Sequence, residues 1–435
     1  LHTAYRRQRQ MCIRDRAGRD AFLLGVGRPC AYGGVLVRGG RREAGFDADG
    51  PWRKGERMEK MGKRLAAIAF AACLAASAML FGCAEQSRSD ESEPSSQAVE
   101  SASRTVTDDA GRAVVLPPAE NIEKVYYTSP SGQIFLFTLA PELCAGTTMD
   151  FTEQELANLP AEAADLPNLG TLSGGKDLNP EAIMAQGIQV VFSITTVAPT
   201  EKDASDADDL QNQTGIPVVV IDGSFDRTAH CYEVLGGILD KTAEAGKLAD
   251  YCTAVLDEVG AAVASIPEDD RVSLYYAEGP EGLQTEPTSS SHALVLERAG
   301  AKNVAQDLEA EGGKGKTPVS LEQVLAWNPD VIIAWDAQRY EGGASDLIRT
   351  DPNWSTVKAV EDGRVYTMCQ TPFSWLDRPP AVNRFIGLQW LTNLLYPEAY
   401  DIDIVETTKE FYSLFYHRDL TDDQVQELLG NSYRG

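Results

Sequence analysis

The sequence predicts an α/β protein of two Rossmann-like lobes, each built on a parallel sheet and joined by a single long interlobe helix. Three observations carry that expectation. Apolar runs of strand length alternate with helical segments from Thr105 onward, a helix-to-strand unit recurs 141 residues further along the chain, and a 25-residue amphipathic stretch lies between the two copies. Strands that are apolar throughout, rather than alternating, belong to parallel sheets covered on both faces.

The strands come first. Val125-Tyr126-Tyr127, Val190 to Ile194 and Pro217 to Ile221 supply the first sheet, and Val272 to Tyr276, Val331 to Trp335 and Arg364 to Tyr366 the second. The repeat pairs Asn179-Pro180-Glu181-Ala182-Ile183-Met184-Ala185, leading into Val190-Val191-Phe192, with Ser320-Leu321-Glu322-Gln323-Val324-Leu325-Ala326, leading into Val331-Ile332-Ile333. A second match sets Val125-Tyr126-Tyr127 against Leu274-Tyr275-Tyr276. Two matches in the same order point to two lobes of one design. Thr242 to Ile266 carries apolar residues at Leu248, Tyr251, Cys252, Val255, Val259, Val263 and Ile266, a helical spacing, with Thr242 as its expected cap and Pro267 as its stop. Near the C-terminus, Thr421 and Gln424 form a capping-box pattern and Gly430 a stop.

The chain divides accordingly. Residues 105–240 form the N-terminal lobe, 241–267 the interlobe helix, and 268–435 the C-terminal lobe with its terminal helices. Ahead of them lie a basic segment, 1–60, expected to be non-native upstream sequence, a signal peptide at 61–82, and a flexible Ser/Glu-rich tether at 83–104. Met61-Gly62-Lys63-Arg64 is the positive start of that signal, and Leu65 to Phe81 its apolar run. The ending Leu80-Phe81-Gly82-Cys83 resembles the bacterial lipoprotein box, which makes Cys83 the lipidated first residue of an extracytoplasmic, membrane-tethered chain.

Charge sharpens the division. The 435 residues have a net charge of −26, but residues 1–83 hold 16 Lys/Arg against 7 Asp/Glu, so the remainder carries −35. So acidic a surface repels phosphate backbones and argues against nucleic-acid binding. Cys144, Cys231, Cys252 and Cys369 remain beyond the leader without a CxxC pair, which gives no zinc or thioredoxin-like pattern and points to buried free thiols, with one disulfide of unassigned pairing as the alternative.

Together the lipoprotein signal, the two lobes and the linking helix resemble the substrate-binding proteins of ABC importers for iron-siderophore, haem and cobalamin. The motifs that carry the resemblance are Tyr127-Thr128-Ser129-Pro130-Ser131, the two repeat units, Asp362-Gly363-Arg364-Val365-Tyr366, and Phe373-Ser374-Trp375-Leu376-Asp377-Arg378-Pro379-Pro380. The family implies a binding protein without catalysis or a resident metal or cofactor, a monomer that delivers its ligand to a permease dimer and its ATPase. It also implies that Glu181 and Glu322, one on each lobe, meet arginines of that permease. As ligands it implies ferric siderophore, haem, cobalamin or a small oxyanion such as molybdate, in that order; no tryptophan precedes Asn179 or Ser320, where the cobalamin binder has stacking residues.

In α/β sheets the binding crevice lies at the C-terminal ends of the strands. The loops there place Ser129, Tyr276, His292, Trp335, Trp375 and Arg378 as candidate ligand residues. Arg378 is expected to pair with an anionic group, the tryptophans to stack on a planar ligand, and His292 and Tyr276 to ligate iron if the ligand is haem. The rival is a surface lipoprotein hydrolase using Ser173 and Lys176, spaced as S-x-x-K, but the companion motifs of such enzymes are missing. Gly313 to Thr317 ends like a phosphate-binding loop yet has Ala310 where its first glycine should stand.

Overall fold

The computed structural model describes residues 103–172, 177–309, 315–336 and 343–432. Cys83, the signal segment 61–82 and the Ser173/Lys176 pair lie outside the described residues.

A short antiparallel hairpin, β1 (Arg104–Thr107) and β2 (Ala113–Leu116), opens the described chain. The first lobe is built on β3 (Val125–Tyr127), β4 (Val190–Thr195) and β5 (Val218–Asp222), all parallel and in the order β3-β4-β5. Helix α1 (Pro130–Leu139) follows β3, α2 (Pro180–Ala185) precedes β4, α3 (Glu201–Thr214) follows it, and α4 (Thr228–Leu239) follows β5. Ser129 caps α1 by accepting from the Gly132 N–H, and Pro130 at the first helical position loses no hydrogen bond.

The second lobe repeats the plan. Its main sheet contains β6 (Ser273–Ala277), β8 (Lys302–Asn303), β10 (Val331–Ala334) and β11 (Val365–Thr367), parallel and ordered β11-β10-β6-β8; β7 (Gln284–Thr285) and β9 (Thr317–Pro318) form a small antiparallel pair beside it. Helix α6 (Leu321–Trp327) leads into β10 as α2 leads into β4. The sequence repeat is therefore a structural one. Asn179 caps α2 and Ser320 caps α6 with their side chains, so both units begin with the same device.

Between the lobes runs α5 (Thr242–Ala264), 23 residues or about 35 Å at 1.5 Å rise per residue. It departs from the sequence expectation at both ends. Its cap position is Lys241, with no side-chain hydrogen bond, and Thr242 is already helical. It closes two residues early, because the N–H groups of Ser265 and Ile266 turn to the carbonyls of Ala262 and Val263 three residues back, tightening the last turn. Leu248, Cys252, Val255 and Val259 form its buried stripe, packed against α4 on one side and α7 (Asn383–Leu395) on the other. The four cysteines are buried and free, as the sequence suggests.

The last two helices, α8 (Ile404–Tyr416) and α9 (Asp422–Leu429), lie beyond α7. Helix α8 packs against α1 of the first lobe, and His417 Nε2 sits 3.1 Å from the Thr138 carbonyl. Thr421 and Gln424 do form a capping box at α9, and Gly430 ends that helix. No helix among the described residues is long and apolar enough to cross a membrane.

Candidate ligand-binding cleft

A cavity of about 1080 Å³ lies between the two lobes. From the first lobe it receives Thr128 and Ser129 after β3, Ser131 in the first turn of α1, and the end of β4 with the loop that follows, Ser193 to Val197; Thr148 and Phe151 add to that wall. From the second lobe it receives His292, Arg378, Pro379 and Pro380. These are loops at the C-terminal ends of parallel strands, where the twist of the sheets leaves a crevice.

The first wall presents the start of a helix. The N–H groups that open a helix have no partner within it, and they carry the positive end of the helix dipole. In α1 the Gly132 N–H goes to Ser129 Oγ at 3.1 Å and that of Gln133 to the Ser129 carbonyl, which leaves the N–H of Ser131 as the remaining donor of the first turn. Beside it stands the Ser131 hydroxyl, while those of Ser129, Thr128 and Thr148 already donate within the wall, to the Ile194 carbonyl at 3.3 Å, to Ser193 Oγ at 3.2 Å and to Gln133 Oε1 at 2.8 Å.

Three acids also line the cavity, and each already holds a donor. Asp150 accepts from Asn168 at 3.0 Å, Asp203 closes the capping box at the start of α3 with Thr200, and Asp206 pairs with Lys202. Their charge is thus partly compensated within the wall.

The second wall rests on a buried ionic network. Asp377 is its hub, receiving His292 Nδ1 at 2.5 Å, Arg384 Nη2 at 3.2 Å and, as an ion pair, Arg378 Nε at 3.3 Å. Burial alone would raise the Asp377 carboxyl. The hydrogen bond from His292 and the charges of His292, Arg384 and Arg378 outweigh it and hold the carboxyl below its ordinary range. With Nδ1 engaged by Asp377, His292 has Nε2 left for the cavity it lines.

Arg378 is clamped from three sides. Its Nη2 pairs with Glu286, and its Nε lies 3.4 Å from Glu278 Oε1 as well as beside Asp377. Glu278 and Glu286 are both fully buried. Burial pushes the Glu278 carboxyl up to about 9, with the Arg378 charge opposing and the charges of Glu286 and Asp377 reinforcing. Glu278 therefore holds a proton at neutral pH. The guanidinium is then balanced by Glu286 and by an Asp377 shared with Arg384.

Of the residues expected from the sequence, Ser129, His292 and Arg378 come together in this cavity. Tyr276, Trp335 and Trp375 do not. Tyr276 is 1 % exposed, Trp335 3 % and Trp375 1 %, and all three belong to the core. Tyr276 is an interior residue of β6, Trp335 donates to Gln370 at 2.9 Å, and Trp375 packs edge-to-face on Trp390 at 6.4 Å. Stacking on a ligand is not open to either tryptophan; Trp335 instead backs Arg378 and Lys316, at 5.4 Å and 4.6 Å from its ring centre. Glu181 and Glu322 are exposed in the first turns of α2 and α6. The carboxyl of Glu322 lies below its ordinary range, held there by its own backbone N–H and by Ser320.

Sequence reasoning missed Thr148, which lines the first wall while bonded to Gln133, and the buried partners Glu286 and Arg384. Thr148 comes from a connection with no strand or motif to flag it. No group of His, Cys, Asp or Glu among the described residues is arranged to hold a metal ion.

Comparison with known proteins agrees with this geometry. A family model described as periplasmic binding protein matches residues 154–371. The chain is 27% identical over 349 residues to the molybdate-binding protein MolA of Haemophilus influenzae, covering 74% of this chain and 94% of that one. Among solved structures, an ABC transporter solute binding protein from Sulfurospirillum deleyianum is 30% identical with a TM-score of 0.67, covering 75% of this chain and 98% of its own. MolA bound to molybdate gives a TM-score of 0.55 at 24% identity, covering 73% and 99%.

Proposed function

Because this chain belongs to the periplasmic binding protein family, an extracytoplasmic class without catalysis, we propose that it captures a small oxyanion of the molybdate type and hands it to an ABC permease. The observation that carries the ligand class is the pairing of walls. The N-terminus of α1, with the N–H and hydroxyl of Ser131, shares one cavity with His292 and Arg378. Neutral donors at a helix start recognise the oxygens of a dianion without a full set of counter-charges. His292 adds a donor when protonated, with Asp377 keeping the ring oriented. The molybdate named for the relative of 27% identity supports the same class.

A ferric chelate is the second reading, and it too rests on an observation. A cavity of about 1080 Å³ is far larger than a tetrahedral oxyanion, and Phe151 with the exposed Leu172 and Val197 gives it an apolar side. Haem loses one proposed ligand, since Tyr276 is buried in β6.

In the same proposal Glu181 and Glu322 dock the permease. Each opens the helix ahead of a central strand in its lobe, so the structural repeat presents two like carboxylates, one per lobe, to a two-fold partner. Cys83 would tether the protein to the membrane. A thermal-shift panel on the purified protein tests the ligand class: molybdate and tungstate should raise Tm, and ferric catecholates and haem should leave it unchanged. A shift with a ferric chelate alone would replace the first reading by the second.

A further inference from the structure

The small sheet of β7 and β9 shows its use in its register. It sets Thr285 opposite Thr317, and so brings Glu286, the residue after β7, beside Lys316, the residue before β9. The Glu286 carboxylate is fully buried and takes three donors there: Arg378 Nη2, Ser290 Oγ at 2.6 Å and the backbone N–H of Lys316 at 3.0 Å. Its own carbonyl accepts from Asn303 Nδ2 at 2.8 Å, so the residue is fixed at both ends.

The turn that supplies the Lys316 N–H is tightly specified. Gly315 and Lys316 both have left-handed backbone, with φ of +71° and +55°. A Cβ at Gly315 would overlap both carboxylate oxygens of Glu286, so only glycine allows this approach. Lys316 adopts the left-handed region while carrying a side chain, a conformation that persists where the surroundings fix it. Here they do, since its N–H is bonded to Glu286 and its ammonium lies 4.6 Å from the Trp335 ring centre. The stretch Gly313 to Thr317 reads in sequence like the end of a phosphate-binding loop, but its described part, Gly315 to Thr317, turns a backbone donor to an internal carboxylate instead.

Arg378 is where this chain of contacts reaches the ligand cavity. It lines the cavity, whereas Glu286, Gly315 and Lys316 do not. Asp377 and Glu278 both lie beside its Nε, at 3.3 Å and 3.4 Å, yet that Nε makes no hydrogen bond, so the carboxylate that fixes the guanidinium plane is Glu286 through Nη2. A charge-assisted hydrogen bond orients a guanidinium as proximity alone does not. We propose that Glu286, seated by the Gly315–Lys316 turn, is the positioning residue that aims Arg378 into the cleft. It touches no ligand and acts through Arg378. The inference rests on Arg378 being the cationic partner of the main ligand, as in the oxyanion reading, and it makes a turn outside the cavity a determinant of affinity.

Gly315→Ala, in a half-buried turn away from the cavity wall, tests it. Calorimetric titration of molybdate into that variant should show affinity about tenfold or more weaker than in the parent, the scale of one charged hydrogen bond. The guanidinium N–H signals of Arg378 in the NMR spectrum, identified by their absence in Arg378→Lys, should lose their protection from exchange with water. Glu286→Asp, which withdraws the carboxylate by one methylene, should release the same signals. In that background Gly315→Ala should cost no further affinity, because both changes act through the same oxygens. Arg378 signals unchanged in either variant, or affinity losses that add in the double variant, would overturn the assignment. If the parent protein does not bind molybdate, the oxyanion reading falls, and the Arg378 signals still decide the positioning.

Discussion

At the scale of single residues, the second wall of the cleft is an exercise in charge placed where water cannot reach it. Three fully buried carboxylates, Glu278, Glu286 and Asp377, surround Arg378, and such a set is tolerable only when partners and protons balance it. Asp377 stays ionised because the His292 hydrogen bond and the guanidinium groups of Arg384 and Arg378 converge on it, whereas Glu278, raised to about 9, takes a proton. The sign of the consequence follows. A carboxyl whose folded value exceeds its unfolded one holds more protons in the native state, so this group lowers stability as pH rises from its unfolded value of about 4.3 towards 9. Glu278→Gln should therefore lose less Tm between pH 5 and pH 9 than the parent protein does. Parallel pH profiles for the two proteins would place the titrating group elsewhere.

Among the elements, α7 fixes the height of the loop that carries Asp377 and Arg378. Gly387 of α7 lies directly against the Trp375 carbonyl, and a Cβ there would overlap that oxygen. Gly387→Ala should cost about 1–3 kcal/mol, as overpacking does, and lower ligand affinity by displacing the loop; an unchanged denaturation midpoint would refute the close approach. This contact also shows what a single sequence conceals. The apolar runs of β3, β4, β5, β6, β10 and β11 were legible because a strand buried on both faces leaves a local mark, as was α5 through its stripe. The burial of Trp335 and Trp375 was not legible, because residues at the ends of strands enter the cleft or the core according to the packing of distant helices such as α7. Glu286 and Arg384, 98 residues apart, meet the same buried network only once the fold is complete, and no short-range spacing marks them.

For the molecule as a whole, two lobes of one design give two similar outer faces and a shared inner cleft. If Glu181 and Glu322 dock a two-fold permease, replacing both with arginine should abolish import and leave ligand affinity unaltered, since both are exposed on helices outside the cavity lining. Uptake at the parent rate in that double variant would remove them from the docking surface. The strongly acidic surface, −35 beyond the basic leader, makes local donors decisive for an anion. The ligand must be held by groups that face the cleft against the field of the surrounding surface. The groups facing the cleft thus select a main ligand by its charge and shape. Isothermal titration of molybdate into the purified protein measures that selection. Saturable one-to-one binding, weakened in His292→Ala, is expected; no molybdate binding, with one-to-one binding of a ferric catecholate or haem instead, would overturn the oxyanion reading.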